Sequence, residues 1–172
     1  MAVREILQLG HPGLWAKAAP VAEIRSTATR SLIQDLGETL ASFRASSGYG
    51  RGVAAPQIGV SQQVIFIRMQ PSGFAGPLIH PQVIWNSSDR FELWDDCFSF
   101  PELLVRVQRH RAIRVRYLDE HGVERTLEAA DDLSELLQHE IDHLDGLLAV
   151  DRAIGPQAFA TRVEWERRYR GR

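Results

Sequence analysis

Apolar residues recur at three- and four-residue intervals in two stretches of the chain. In residues 26–45 they fall at Leu32, Ile33, Leu36, Leu40 and Phe43. One face of a helix is then apolar, and Ser26 or Thr27 can cap its start. Gly48, Gly50 and Gly52 end it in a flexible loop. In residues 131–147 the apolar positions are Leu133, Leu136, Leu137, Ile141 and Leu144. Asp131 or Asp132 can cap this second helix, and Gly146 can stop it. A last helix is predicted over residues 157–170, where Phe159, Val163 and Trp165 stand among many charges. Between the helices the period changes. Residues 63–69 (QVIFIRM) have strand composition, and residues 78–85 read as a strand broken at Pro81. Residues 91–95 and 103–107 are short extended segments. Residues 112–118 alternate apolar with charged positions, and after a turn at 119–122 residues 123–127 return as the second arm of a hairpin. Residues 4–9 are a short apolar run that Gly10, Pro12 and Gly13 break. Strands first and the strongest helix late predict an α+β fold, not alternating βαβ units.

Composition narrows the function classes. The 172 residues suit a single domain, 1–172, and 44% hydrophobic residues can fill its core. A net charge of −2 supplies no basic field, so no direct nucleic-acid site is evident. No stretch approaches the ~20 apolar residues of a membrane helix, and the first residues lack a basic-then-apolar leader. The expected location is the cytoplasm, with no membrane partner. Lys17 is the only lysine among many arginines, which decides nothing about function. Cys97 is the only cysteine, so the chain holds no internal disulfide. A lone cysteine ordinarily packs as a small apolar side chain.

The second helix carries the chemistry. It contains H-E-x-x-H, and positions four apart share a helix face, so His139 and His143 can point their imidazoles at one ion. Glu140 projects beside them. That set supplies two neutral nitrogen ligands and one base for hydrolysis. An inert core histidine has no need of a second histidine and a glutamate on its stripe. A third ligand is required. Asp145, Asp151, Glu164 and Glu166 are downstream candidates; upstream stands Cys97, whose thiolate is a strong ligand for a borderline metal.

With these residues in hand, the sequence resembles the peptide deformylases. Gly50-Arg-Gly-Val-Ala-Ala-Pro-Gln57 is similar to the family's G-x-G-[LV]-A-A-x-Q, Asp95-Asp-Cys-Phe-Ser99 to its E-G-C-L-S, and Gln138-His-Glu-Ile-Asp-His-Leu-Asp-Gly146 to its Q-H-E-x-D-H-L-x-G. The three motifs occur in the family's order, and residues 7–21 look like its opening stretch. The resemblance implies that Cys97, His139 and His143 bind the metal and that Glu140 acts as base, then acid. It implies Gln57 and the backbone N–H of Phe98 as donors to the oxyanion. It implies removal of the formyl group from an N-formyl peptide or nascent chain, releasing formate. The metal it implies is one divalent ion, Fe2+, with Zn2+, Ni2+ or Co2+ able to substitute. It also implies that the C-terminal helix, with Arg162, Arg167, Arg168, Arg170 and Arg172, can touch the ribosome.

The chain departs from the family in two places. In the second motif Asp95 replaces Glu, Asp96 replaces Gly and Phe98 replaces Leu. Asp96 puts a charge beside the metal, where it narrows the groove or repels an anionic ligand. Around the methionine pocket, which the resemblance builds from these positions with Gly52, Arg51 stands where an aliphatic residue is usual and Asp132 where an apolar one is. Asp132 and Glu135 lie seven and four residues before His139, near its stripe of the helix. The expectation is a pocket holding an arginine and one or two acids, unless these side chains turn outward or pair with each other. Two other readings stand beside deformylation: an amidohydrolase of the same fold with another acyl group or first residue, and a metal-binding paralogue that does no chemistry. Gln57 and Glu140 disfavour the latter, since a pure binder needs neither. A zinc endopeptidase fits less well, given Cys97 and the first motif. The glycine-rich loop lacks the Lys-Ser/Thr of a phosphate-binding loop.

Overall fold

The computed structural model describes residues 2–69 and 73–170; Arg172 of the basic tail lies outside them. The order of elements is α1 (Thr27–Ser47), β1 (Gly52–Ala54), β2 (Val64–Arg68), β3 (Ala75–Asn86), β4 (Arg90–Asp96), β5 (Leu103–His110), β6 (Ala112–Leu118), β7 (Glu124–Ala130), α2 (Asp131–Leu144), β8 (Phe159–Thr161) and α3 (Arg162–Arg168). All strand pairs are antiparallel. They form a five-stranded sheet in the order β1-β2-β3-β6-β7 and a three-stranded sheet in the order β4-β5-β8. The α+β expectation holds.

Burial explains why β2 reads as a continuous apolar run. Ile65 and Ile67 join the core under α2, with Leu78, Ile113, Val115, Leu136 and Leu137. Val64 and Phe66 point the other way, onto Leu32, Ile33, Leu36 and Leu40 of α1. A strand covered on both faces has no polar side to alternate with. A third cluster, with Leu14, Phe100, Val105, Val107 and Leu148, lies against the small sheet and includes Cys97.

The expected cap and stop hold at α1, while several later boundaries differ from the sequence expectation, each for a local reason. Helix α1 begins at the Ser26 cap, whose side chain accepts from Thr29 N–H, and Gly48 ends it at φ 79°. Strand β3 runs through Pro81 as a register irregularity between Ile79 and Gln82, with His80 at φ 50°. Neither Asp131 nor Asp132 caps α2. Ala130 leads from β7 directly into the helix, and Asp131, at φ 48°, pairs instead with Arg111 at 3.0 Å. Residues 159–161 of the predicted last helix are strand, because Phe159, Ala160 and Thr161 complete the edge of β5. Residues 52–54 of the glycine-rich loop are likewise strand, paired with β2. The apolar run at 4–9 forms no strand; Leu7 N–H donates to the Gln57 carbonyl at 2.8 Å and Leu9 N–H to the Ser99 carbonyl at 2.8 Å, so this segment clamps the loops around the site.

Candidate metal centre

Helix α2 is held over the five-stranded sheet by its apolar face and pinned at one flank by Gln138. The Gln138 amide accepts from His110 N–H at 3.0 Å and donates to the His110 carbonyl at 2.9 Å. Ser134 Oγ donates to the same carbonyl at 2.8 Å. At the far end Ala18 N–H donates to the Leu144 carbonyl. So anchored, the helix turns His139 and His143 toward the end of β4, where Cys97 begins the next loop.

There the three side chains converge, all buried. Their donor atoms lie within 4.8 Å of one another, with His143 Nε2 3.2 Å from His139 Nε2 and 3.4 Å from Cys97 Sγ. Two imidazole nitrogens and a cysteine sulfur converging on one buried point are the donor set of a tetrahedral borderline metal. The residues present therefore fit a divalent ion. His139 Nδ1 is 2.9 Å from Asp95 Oδ1, which turns its Nε2 toward the centre. Burial acts to lower His139, yet the Asp95 carboxylate outweighs it and holds the imidazole well above its usual range. His143 is pushed well below, by burial and by the charge of His139.

Glu140 stands beside these ligands with one carboxylate oxygen, Oε2, buried and unpartnered. Burial raises it to about 7, so it can both take and return a proton near neutrality. The absence of a side chain at Gly52 makes room for it, since a Cβ there would run into the Glu140 carboxylate. Gly50, two residues earlier, is a glycine for a different reason: its φ is 113°. Gln57 is buried. Its Oε1 accepts from Ala54 N–H at 2.8 Å, which fixes Nε2 as the donor toward Cys97 Sγ, 3.4 Å, and Ser99 Oγ, 3.3 Å. The Phe98 ring stacks on Phe43 with centroids 3.7 Å apart.

A cavity of about 400 Å3 opens from this centre, and Arg51, Gly52, Asp96, Asp132 and Glu135 all line it. Arg51 forms an ion pair with Glu135. Asp96 does not stand as a bare charge beside the metal ligand: Arg162 Nη2 holds it at 2.8 Å, while the same guanidinium lies 4.5 Å from the Tyr49 ring centre.

Sequence reasoning missed the buried charges behind the centre. Arg109 bridges Asp95, at 3.0 Å, and Asp142, at 2.5 Å, and Arg152 closes on Asp142 at 2.7 Å. The available signal was Arg109 itself: it continues the inward-facing register of Val105 and Val107 along β5, where a charge demands a buried partner.

Comparison with known proteins adds a second line of observation. A family model described as Polypeptide deformylase matches residues 3–158. The chain is 39% identical over 153 residues to Peptide deformylase 2 of Clostridium perfringens, covering 89% of this chain and 94% of that one. Among solved structures it is similar to a peptide deformylase from Legionella pneumophila, with TM-score 0.83, 31% identity and coverage of 96% and 92%. It is also similar to a Met-Ala-Ser-bound class I type b peptide deformylase from Acinetobacter baumannii, with TM-score 0.80, 27% identity and coverage of 88% and 98%.

Proposed function

Because the chain belongs to the polypeptide deformylase family, it is a metal-dependent hydrolase of N-formyl peptides, and we propose that Cys97, His139 and His143 hold the metal while Glu140 moves the proton. The observation that carries this reading is the convergence of three buried soft and borderline donors beside the buried carboxylate of Glu140, one oxygen of which has no partner. When bound there, a divalent ion supplies Lewis acidity toward water and a carbonyl oxygen. Glu140 accepts the proton of the attacking water and returns it to the departing amine, so one residue serves both half-steps. Gln57 Nε2 and the backbone N–H of Phe98 donate to the oxygen that gains charge as the formyl carbon becomes tetrahedral. Arg51, Gly52, Asp96, Asp132 and Glu135 wall the space for the peptide.

The finer assignments belong to the same proposal. The resident metal is ferrous iron, with zinc, nickel or cobalt able to occupy the same donors; metal analysis after anaerobic purification tests this. Residues 1–172 act as one domain in the cytoplasm; among the described residues no helix is long and apolar enough to cross a membrane. Helix α3 presents Arg167 and Arg168, each paired with Glu164, on an exposed face, and its proposed contact is the ribosome, read by co-sedimentation. The decisive experiment is formate release from formyl-Met-Ala-Ser by the metal-loaded protein. Glu140→Gln should keep the metal while turnover falls by ~10² or more. Wild-type turnover in that variant removes Glu140 from the mechanism.

A further inference from the structure

The cavity beside the three donors ends in a wall of charge. Helix α2 presents Asp132, Glu135 and His139 on one stripe, and Arg51 reaches across from the loop before β1 to pair with Glu135. Its other terminal nitrogen lies 3.5 Å from the Asp132 backbone carbonyl. Glu135 is 5% exposed, so its carboxylate is part of the cavity floor and not of the outer surface. The Asp132 carboxylate forms no ion pair among the described residues; the neighbouring pairs are Arg51 with Glu135 and Asp131 with Arg111. One guanidinium thus pairs with one carboxylate and feels the charge of a second, Asp132. Of the remaining acids of the cavity, Asp95 is engaged by Arg109 and Asp96 by Arg162, while Glu140 belongs to the metal centre. Arg44, on the α1 side, donates to the Arg68 carbonyl at 3.4 Å.

Such a wall discriminates. An aliphatic or thioether group entering it strips water from a charged pair and from Asp132 and returns no hydrogen bond. A group with N–H donors can replace that water by pairing with Asp132, whose carboxylate has no cationic partner among the described residues. We infer that this cavity selects N-formyl substrates whose first side chain carries hydrogen-bond donors, lysine- or glutamine-like, over apolar ones, with Arg51, Glu135 and Asp132 as the specificity-determining residues. The inference rests on the deformylase reading above and deepens it.

The test uses metal-loaded protein and four peptides, formyl-X-Ala-Ser with lysine, glutamine, norleucine or methionine as X. The lysine and glutamine peptides should exceed norleucine in kcat/KM by about tenfold or more. In Arg51→Leu with Glu135→Leu the order should invert. Binding gives an independent readout: in metal-loaded Glu140→Gln the Kd values, measured by calorimetry, should follow the wild-type order. Ready turnover with norleucine and methionine preferred overturns the inference and leaves the deformylase reading intact, and this wild-type result decides even where the double variant fails to fold. No turnover of any peptide, with the Kd order kept, overturns the deformylase reading and leaves the cavity assignment standing. Neither turnover nor binding overturns both.

Discussion

Asp95 stands where three charges meet, between the ligand His139 and the buried Arg109. Burial by itself raises a carboxyl; here His139 and Arg109 outweigh it and hold Asp95 at about 2. An unfolded aspartate titrates near ~3.9, so the folded state binds that proton less tightly. The stabilisation is fully present above about pH 4 and is lost as pH falls through about 2. Asp95→Asn leaves Arg109 with Asp142 alone in the interior and should cost about 3 kcal/mol. Urea unfolding of the metal-free proteins checks this: the gap between wild type and variant should narrow from pH 5 to pH 2. A constant gap means that the charge of Asp95 contributes nothing. The neighbouring departure, Asp96, lies nearer the surface, where Arg162 pairs with it at 2.8 Å.

At the scale of elements, α2 depends on how its ends are tied. Its C-terminus turns at Gly146, at φ 72°, and a Cβ there would sit 2.5 Å from the Trp15 carbonyl oxygen. Gly146→Ala combines that clash with a backbone conformation hostile to side chains and should cost about 2 kcal/mol or more, read by urea unfolding. The strand–helix unit of β8 and α3 is tied differently. It enters the site through Arg162, which binds Asp96 at 2.8 Å and the Pro101 carbonyl at 2.7 Å and covers Tyr49. Arg162→Ala should leave Asp96 unpaired in the cleft and raise KM for formyl peptides roughly fivefold, about 1 kcal/mol. Asp96→Gly in that background should restore it. Failure of the second change to rescue assigns the loss to displacement of β8 instead.

Across the whole molecule, the donors come from two sheets. Cys97 follows β4 of the three-stranded sheet, while His139 and His143 ride on α2, packed over the five-stranded one. A metal bound by all three joins the two halves, and its binding energy adds to folding stability. At a thousandfold excess over Kd the linkage is worth about 4 kcal/mol. Chelation should therefore lower Tm by several degrees, with recovery on reloading, and Cys97→Ala should reduce the metal-dependent shift. An unchanged Tm after verified metal removal would mean that the metal removed does not join the two halves through these donors.

By itself the sequence determined what periodicity and local chemistry encode. The apolar stripes of α1 and α2, the continuous run of β2 and the alternation of β6 each reflect a face that burial requires, and H-E-x-x-H carries its own geometry because four residues make about one helical turn. The three motifs in order pointed to the family and to Cys97, His139, His143, Glu140 and Gln57. Tertiary structure alone decided what depends on partners distant in the chain. Residues 159–161 became strand because β5 had an open edge, which no local pattern announces. Asp131 lost its capping role to Arg111. The charge of Asp96 was balanced by a residue 66 positions away, and that of Glu135 by one 84 positions away. Charges are read singly in a sequence, whereas their energies in a protein belong to pairs and to burial, and only the fold assigns the pairs.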